Sequence, residues 1–501
     1  MKFGSETIVM LIAYMAVIFA VGYWAYKKTD NLSDYILGGR KLGPGVTALS
    51  VGASDMSGWL LLGLPGAIYL SGLGEIWIGI GLVIGAYLNW LLVAKRLRIH
   101  TEQANNALTL PEYFGVRFKD NANIIRLTSA VIILVFFTVY VASGLVSGAK
   151  LFQQVFQMDY YIALFSGAAV IIAYTCFGGF LAVSWTDFIQ GCLMLLALLI
   201  VPIVAFNALG GVDPTTEVVQ NINPQFNALA EGLPLIGIVS AMAWGLGYFG
   251  QPHILSRFMA IESADHVPTA RRVAMGWMIM SLIGAIGVGY AGIAYFADAP
   301  LGKDQTETVF LHLVSALLNP WVAGLLIAAI MSAIMSTIDS QLLVCSSVMV
   351  EDIYKSTSKK KPTEQQLVWL SRLSLVIVGA IAIVIALDKD SSILKLVSHA
   401  WAGFGCAFGP VILLSLYWSK LTKSAAVAAM ITGGATVLVW IMIQSGVFGP
   451  IEKESFLNIY AMVPGFILST IVAVVVSLIE DTSEYDEIFQ DLSLNNKTSS
   501  I

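Results

Sequence analysis

Charge is what this chain most lacks: Asp, Glu, Lys and Arg make up 12% of its 501 residues, against about 25% in soluble domains. With 57% hydrophobic residues and a mean hydropathy of +0.80, a soluble globule is excluded. The net charge of −5 and pI near 5.6 leave no basic face for a nucleic acid. Cysteine is also scarce. Cys176, Cys192, Cys345 and Cys406 all fall inside apolar runs, without metal-ligand spacing or a secreted disulfide pattern. No small-residue cleavage site follows the first apolar run, which ends on Lys27 and Lys28, so it is expected to be a retained span and not a signal peptide. No nucleophile–base pair or metal constellation lies at membrane depth, which argues against an enzyme. No ring-forming filter loop is visible either, which argues against a channel.

What is present is apolar sequence in runs of about 20 residues, each able to cross about 30 Å of hydrocarbon. The chain reads as an all-α polytopic membrane protein with thirteen transmembrane helices. One membrane domain is expected over residues 1–480, followed by an acidic cytoplasmic tail over 481–501. The first span covers 7–26 and the last two lie within 425–479. An outside N-terminus places 21 of the 27 basic residues on the cytoplasmic side and 6, Lys2 and Lys453 among them, outside. The cytoplasmic set includes Lys28, Lys359, Lys360, Lys361 and Lys497. Basic residues stay on the cytoplasmic side, so this asymmetry supports the odd count and a multi-pass plasma (inner) membrane protein with its C-terminus in the cytoplasm.

Two of the spans are broken. The second, Gly43–Tyr69, carries Ala53-Ser54-Asp55-Met56-Ser57-Gly58-Trp59, and the seventh carries Trp244-Gly245-Leu246-Gly247-Tyr248-Phe249-Gly250-Gln251-Pro252. Unwound backbone survives at membrane depth only against protein or a water-filled cavity. Paired interruptions in corresponding positions of two halves mark a transporter's midplane site. The breaks lie five spans apart. Because five is odd, the two five-helix units, 43–208 and 233–418, enter the membrane from opposite sides, giving a 5+5 inverted repeat with one helix before and two after.

A hard cation such as sodium seeks oxygen ligands, and an unwound helix frees carbonyls to supply them. In the ninth span, spacings of three and four put Ala333, Ser336, Thr337 and Ser340 on one face, able to meet the break in the second. Their hydroxyls have a plainer role available, bonding the carbonyl one turn back. Asp55 at the centre of a membrane helix costs at least ~2.5–3.5 kcal/mol; it reads as a cap for the second half-helix, as a field for a cation, or as both. Asp187 reads as an interfacial N-cap of the sixth span or as a ligand in a cation path, and Asp339 lies deeper, beside hydroxyls. Tyr140, Trp244 and Tyr248, with Trp59, form an aromatic set suited to a small organic solute. His253 and His399, single histidines near span ends, are read as structural.

Four strings extend this reading: DYILGGRKLGPGVTALSVGASDMSGWLLLGLPGA, GGFLAVSWTDFIQG, WGLGYFGQPHILSRFMA and AIMSTIDSQLLVCSS. They closely resemble the sodium:solute symporters, and within them the sodium/proline symporters, from about Gly4 to Leu478. The resemblance implies the inverted-repeat fold of the bacterial leucine transporter. It also implies a sodium site from the carbonyls of Ala53, Met56 and Ala333 with the hydroxyls of Ser336 and Thr337. Asp55 and Ser57 lie at the same break, and Arg40 lies near the cytoplasmic route. For substrate it implies Ser57, Gly58, Tyr140, Trp244, Tyr248, Gln251 and Pro252. Some branches hold a second sodium, at positions occupied here by Asp187, Asp339 and Ser340. The expected activity is sodium-driven import of L-proline by alternating access, by a monomer in the lipid bilayer, with no cofactor besides the coupling ion. The rival within the family is another small solute: a different amino acid, a carboxylate or a sugar.

Overall fold

A computed structural model describes residues 4–27, 32–177, 179–358, 363–452 and 455–494. Lys2, Lys28, Lys359, Lys360, Lys361, Lys453 and Lys497 of the charge asymmetry, Gly178 of the second string and residues 495–501 of the acidic tail lie outside them. Among the described residues the chain is helical throughout, with a single parallel bridge, Leu42 to Ile261, in place of any sheet. Each of the thirteen apolar stretches carries helix. Ten helices among the described residues are long and apolar enough to cross a membrane, and Tyr160–Cys176, Leu235–Gly250 and Thr306–Leu317 are shorter. The crossing number expected from the sequence and this set of ten therefore differ, for a physical reason. The second stretch is broken and its later half runs on into the third as Trp59–Gln103, the seventh is broken, and the fifth helix, Tyr160–Cys176, is unbroken but short.

The longest apolar stretch, Trp59–Gln103, has 45 residues. At about 1.5 Å per residue it would reach roughly 68 Å, twice the hydrocarbon thickness, so it must turn back on itself. The turn is at Gly72, whose φ of 76° suits a residue without a Cβ. A Cβ there would also lie 2.4 Å from the backbone of Phe226. Other starts and stops follow the capping rules. Pro44, Pro252 and Pro320 each stand in the first turn of a helix, where the missing N–H costs nothing. The Asn319 side chain accepts the Val322 N–H at 3.1 Å.

Burial separates core from rim. In the ninth helix, Pro320–Ser347, and the eleventh, Ile393–Tyr417, 83% of the apolar window is buried, against 22% in the first and 28% in the last. The first half of the second segment, Pro44–Asp55, packs among the sixth (Phe180–Ala208), eighth (Val267–Tyr295) and ninth helices and against Pro252–Ala260. The seventh segment packs against the third (Ile76–Asn89) and eleventh. The last two helices, Lys423–Gln444 and Met462–Ile479, pair with each other and with the eleventh. The tail helix Ser483–Leu494 rests on the loop after the third segment: Arg117 donates to the Tyr485 carbonyl at 3.3 Å, and Lys119 pairs with Glu484 at 3.0 Å.

Glycine sets how closely the seventh segment is gripped. A Cβ on Gly85 would sit 2.1 Å from the Gly245 carbonyl, and one on Gly250 2.2 Å from that of Phe404. Backbone meets backbone at these points, so neither side chain nor rotamer can give way. Gly85→Val is therefore expected to destabilise the protein by about 1–3 kcal/mol or more, read as a lower thermal transition in detergent. Gly276→Ala, which meets nothing within 4 Å, should leave the transition unchanged or slightly raised.

Candidate functional site

The break in the second segment is a local rerouting of hydrogen bonds. Met56 leaves the helical region at φ −80°, ψ 73°. The Ser57 N–H then turns to the Asp55 carbonyl at 2.9 Å instead of reaching back four residues to Ala53. The Ala53 carbonyl, released inside the bundle, accepts from Ser336 Oγ at 2.8 Å and Thr337 Oγ1 at 3.4 Å. Ser336 also reaches the Ala333 carbonyl at 3.2 Å. Back-bonding within the ninth helix is thus only part of what these hydroxyls do, since both cross to the second segment. Ala53, Ala333, Ser336 and Thr337 come together as four oxygens that a sodium ion accepts as ligands, while Met56, buried, lies at the break itself.

Asp55 caps nothing. Its carboxylate accepts the Tyr248 hydroxyl from the seventh segment, and Ser57 Oγ, at 3.3 Å from the Trp59 N–H, serves the second half-helix. The other carboxylate oxygen, Oδ1, is buried with no hydrogen-bond partner, an arrangement that leaves one lone-pair face for a cation. The Asp55 carbonyl accepts from the Trp59 indole at 3.2 Å and the Tyr140 hydroxyl at 3.4 Å. Gly58 is held by close packing: a Cβ there would lie 2.8 Å from the Ser147 side chain.

The seventh segment is interrupted as expected. Helix Leu235–Met242 tightens into a 3-10 turn over Ala243–Gly250, Gln251 is extended at φ −82°, ψ 107°, and helix resumes over Pro252–Ala260. Gln251 Nε2 bonds the Gly247 and Trp401 carbonyls at 3.1 and 3.2 Å, closing the gap. Trp244 stacks on Tyr460 with centroids 5.4 Å apart and lies 6.3 Å from Trp59. Tyr248 meets Trp401 edge-on at 5.0 Å. Tyr140, Trp244 and Tyr248 are all buried. The closed cavity beside Asp55, Asn89 and Tyr248 is only about 20 Å³, room for one water. An imino acid enters only if these aromatic groups part.

The expected second cation position is differently built. Asp187 Oδ2 accepts from Ser50 at 2.6 Å and from Arg257 at 3.0 Å, and Arg257 donates onward to Ser340 at 2.5 Å. A guanidinium joins Asp187 to Ser340, while Asp339 turns to Thr175 at 2.5 Å. Each of the three thus has a partner within the protein, while Asp187 Oδ1 and Asp339 Oδ2 are buried with no hydrogen-bond partner. Asp187 is not an interfacial cap: helix begins at Phe180, and the Ser184 and Thr186 hydroxyls that resembled cap signals bond carbonyls of their own helix. Arg40 spans the loops at one end of the bundle, donating to Met259 and Ala107 carbonyls at 2.5 and 2.8 Å and to Thr101 at 3.2 Å. Burial lowers its pKa to about 10, so it remains cationic at neutral pH. Arg257, Trp401, Asn89 and Tyr460 were not singled out by sequence. The signals were there for two of them: Asn89 is an amide alone in an apolar run, and Arg257 is the one Lys or Arg in the string WGLGYFGQPHILSRFMA.

The profile of the sodium:solute symporter family matches residues 35–433. The chain belongs to that family. Among curated proteins, this symporter is 49% identical over 483 residues to the sodium/proline symporter of Salmonella typhimurium, covering 96% of this chain and 94% of that one. It is 51% identical over 459 residues to the high-affinity proline transporter PutP of Bacillus subtilis, covering 92% and 95%. Among solved structures, a Na⁺-coupled sialic acid symporter in a substrate-bound outward-open state aligns with TM-score 0.79 at 19% identity, covering 96% and 99%. The transporter MhsT in complex with L-phenylalanine aligns with TM-score 0.53 at 12% identity, covering 86% and 97%. These likenesses give the fold, the leucine-transporter-like arrangement that the family resemblance implied.

Two measurements test the geometry. Ser336→Ala and Thr337→Ala should raise the sodium concentration for half-maximal uptake about tenfold with little change in protein level; unchanged sodium dependence would reject these ligands. Arg257→Ala strands the Asp187 carboxylate, both side chains being at most 1% exposed. Loss of about 3–5 kcal/mol is expected, seen as a lower thermal transition that Asp187→Asn in the same chain partly restores.

Proposed function

We propose that this symporter couples the inward movement of sodium to the import of L-proline across the bacterial inner membrane. The observation that carries the reading is identity of 47–51% over nearly the whole chain to relatives named as proline transporters. It is supported by a site whose oxygens and aromatic faces suit these two solutes. Sodium takes the Ala53 and Ala333 carbonyls, the Met56 carbonyl and the Ser336 and Thr337 hydroxyls, with Asp55 supplying the compensating field. Proline lies between the broken segments. Its carboxylate meets the positive end of the half-helix that follows Ser57 and Gly58, and Tyr140, Trp244 and Tyr248 enclose the ring and secondary ammonium. Gln251 and Pro252 close the floor.

No covalent step is involved. Coupling requires that sodium and proline each favour the conformation the other needs. Sodium draws the second segment against the ninth, which fixes the half-helix end that receives the carboxylate. One charge moving through 100 mV supplies ~2.3 kcal/mol and a tenfold sodium gradient about 1.4. With one sodium per proline the total of roughly 3.7 kcal/mol supports about 500-fold accumulation. The remaining elements of the reading are thirteen crossings, an outside N-terminus and a functional monomer.

Purified protein in proteoliposomes should accumulate labelled proline under an inward sodium gradient and lose that accumulation when choline replaces sodium. Unlabelled proline analogues should compete. Displacement by glucose or pantothenate but not by proline analogues would instead assign another solute to the same site. Trp244→Ala and Tyr248→Ala should weaken proline affinity at least tenfold while the protein still folds.

A further inference from the structure

The tail helix, Ser483–Leu494, takes no part in either solute site, yet it is built to dock. Tyr485, Ile488, Phe489 and Leu492 recur at spacings of three and four, which makes one apolar face, while Glu487 and Asp491 on the opposite face are exposed. Leu492 is buried, and Tyr485 and Ile488 pack against the core. The Phe489 ring meets His100 edge-on with centroids 6.0 Å apart, and Tyr485 lies 6.4 Å from Phe118. Arg117, fully buried, joins the two surfaces. Its guanidinium lies 5.1 Å from the Phe489 ring centroid. It donates to the Tyr485 carbonyl at 3.3 Å and, just past the eleventh helix, to those of Trp418 and Ser419 at 3.3 and 3.2 Å. Lifting the tail removes one of these acceptors, and a buried donor without a partner is costly. The Lys119–Glu484 pair, about half exposed on both sides, adds little. The grip is apolar contact around one buried cation.

The loop that the tail grips is fastened on its other side to the seventh segment. Its helix Lys95–Gln103, which carries His100, packs against Pro252–Ala260, the second half of that broken segment. Arg98 Nε donates to the Ile261 carbonyl at 2.7 Å, and Arg40 bonds Thr101, the Ala107 carbonyl and the Met259 carbonyl together. Thr109 and Pro111 of the same loop and Pro252, Ser256 and Arg257 of the half-helix line one closed cavity of about 30 Å³, which also reaches Ser340. Loop forms one wall and half-helix another. Widening this space into a passage means parting the two, and the tail helix opposes that by seating the loop from behind. This is the cytoplasmic end of the bundle in the orientation proposed above.

We propose that the tail helix is a clamp on this closure. Seated, it holds the loop over the cavity and favours the state closed at this end; lifted, it lets that end open more often. Two changes unseat it: Phe489→Asp with Leu492→Asp in the full chain, and a chain that ends at Thr482. In hydrogen–deuterium exchange of the purified protein, the amides of 95–119 and 252–260 should then exchange about three- to tenfold faster. Helix Val309–Leu317 lies at the opposite end, where Glu307 accepts from the start of the eleventh helix and Arg117 from the other side donates to its last turn; its exchange should move less than twofold. In proteoliposomes, sodium flux without proline should rise about three- to tenfold in both variants, with the KM for proline presented from the outer face within twofold. Phe489→Leu, which keeps the apolar contact, and Glu487→Gln with Asp491→Asn, on the exposed face, should match the unaltered protein, and Lys119→Gln should shift either readout less than twofold. Unchanged exchange over 252–260 in both unseated chains would overturn the clamp. So would faster exchange there with sodium flux unmoved, and so would faster exchange throughout the bundle with a lowered thermal transition, which would make the tail a general support. The exchange measurement uses no solute, so failure of the unaltered protein to accumulate proline would overturn the import reading and leave the clamp to be decided by exchange.

Discussion

One carbonyl organises the centre of this molecule. The oxygen of Ala53 loses its helical donor where Met56 departs from helical geometry, and an unsatisfied carbonyl in hydrocarbon costs several kcal/mol. The hydroxyls of Ser336 and Thr337 meet it, which ties the broken second segment to one of the two most buried helices of the bundle. The same atoms therefore do two jobs. Without a cation the hydroxyls donate to the carbonyl. With one, each hydroxyl can turn its lone pairs, and the carbonyl its oxygen, to the ion. In the proposed sodium site, the contact that stabilises the fold would become part of a ligand shell.

The second break is linked to the first through Asp55 and Tyr248. A carboxylate at this depth is costly, and a single phenol leaves its Oδ1 without a partner. The seventh segment can hold Tyr248 in place because Gly245 and Gly250 let neighbouring backbones touch it and because Trp401 bonds the Trp244 carbonyl at 2.7 Å. At the opposite end of both segments the Leu42–Ile261 bridge joins the entry of one to the exit of the other. Two interrupted helices, joined at the middle by a charge and at one end by backbone, respond as a unit when either is displaced.

Much of this was legible in the sequence. Asp55-Met56-Ser57-Gly58 within an apolar run marks a break because no continuous membrane helix tolerates that combination cheaply, and the Gly-rich seventh stretch carries the matching signal. The one-face spacing of Ala333, Ser336, Thr337 and Ser340 marks the side of the ninth helix from which Ser336 and Thr337 reach the second segment. What stayed hidden depended on distance in the chain. Asp187 looked like an interfacial cap of the sixth span, whereas the helix begins at Phe180 and runs through it, and the carboxylate is answered by Arg257, 70 residues away. Asp339 accepts from Thr175 on another helix. Neither partner can be read from local spacing, because helical periodicity says which residues share a face and not what that face meets.

The barriers on the two sides of the site differ in kind, and this bears on how coupling works. On the side of the open cavity of about 420 Å³ that Trp244 and Tyr460 line, the site is covered by their aromatic stack, worth about 0.5–1.5 kcal/mol beyond the area it buries. Toward the other face, Arg257 binds Asp187, Ser50 and Ser340 out of water, and Arg40 holds the loop carbonyls. Leaving a buried charge of this kind unpaired costs about 3–5 kcal/mol. Thermal motion alone opens the first barrier far more often than the second. The costly opening must then be offset by differential binding, and neither solute need supply all of it. If sodium bound alone cannot release the Arg257 cluster but sodium with proline can, the ion does not leak through an empty carrier. The gradient is then spent only on cycles that carry solute, and tight coupling follows from the unequal strength of the two closures.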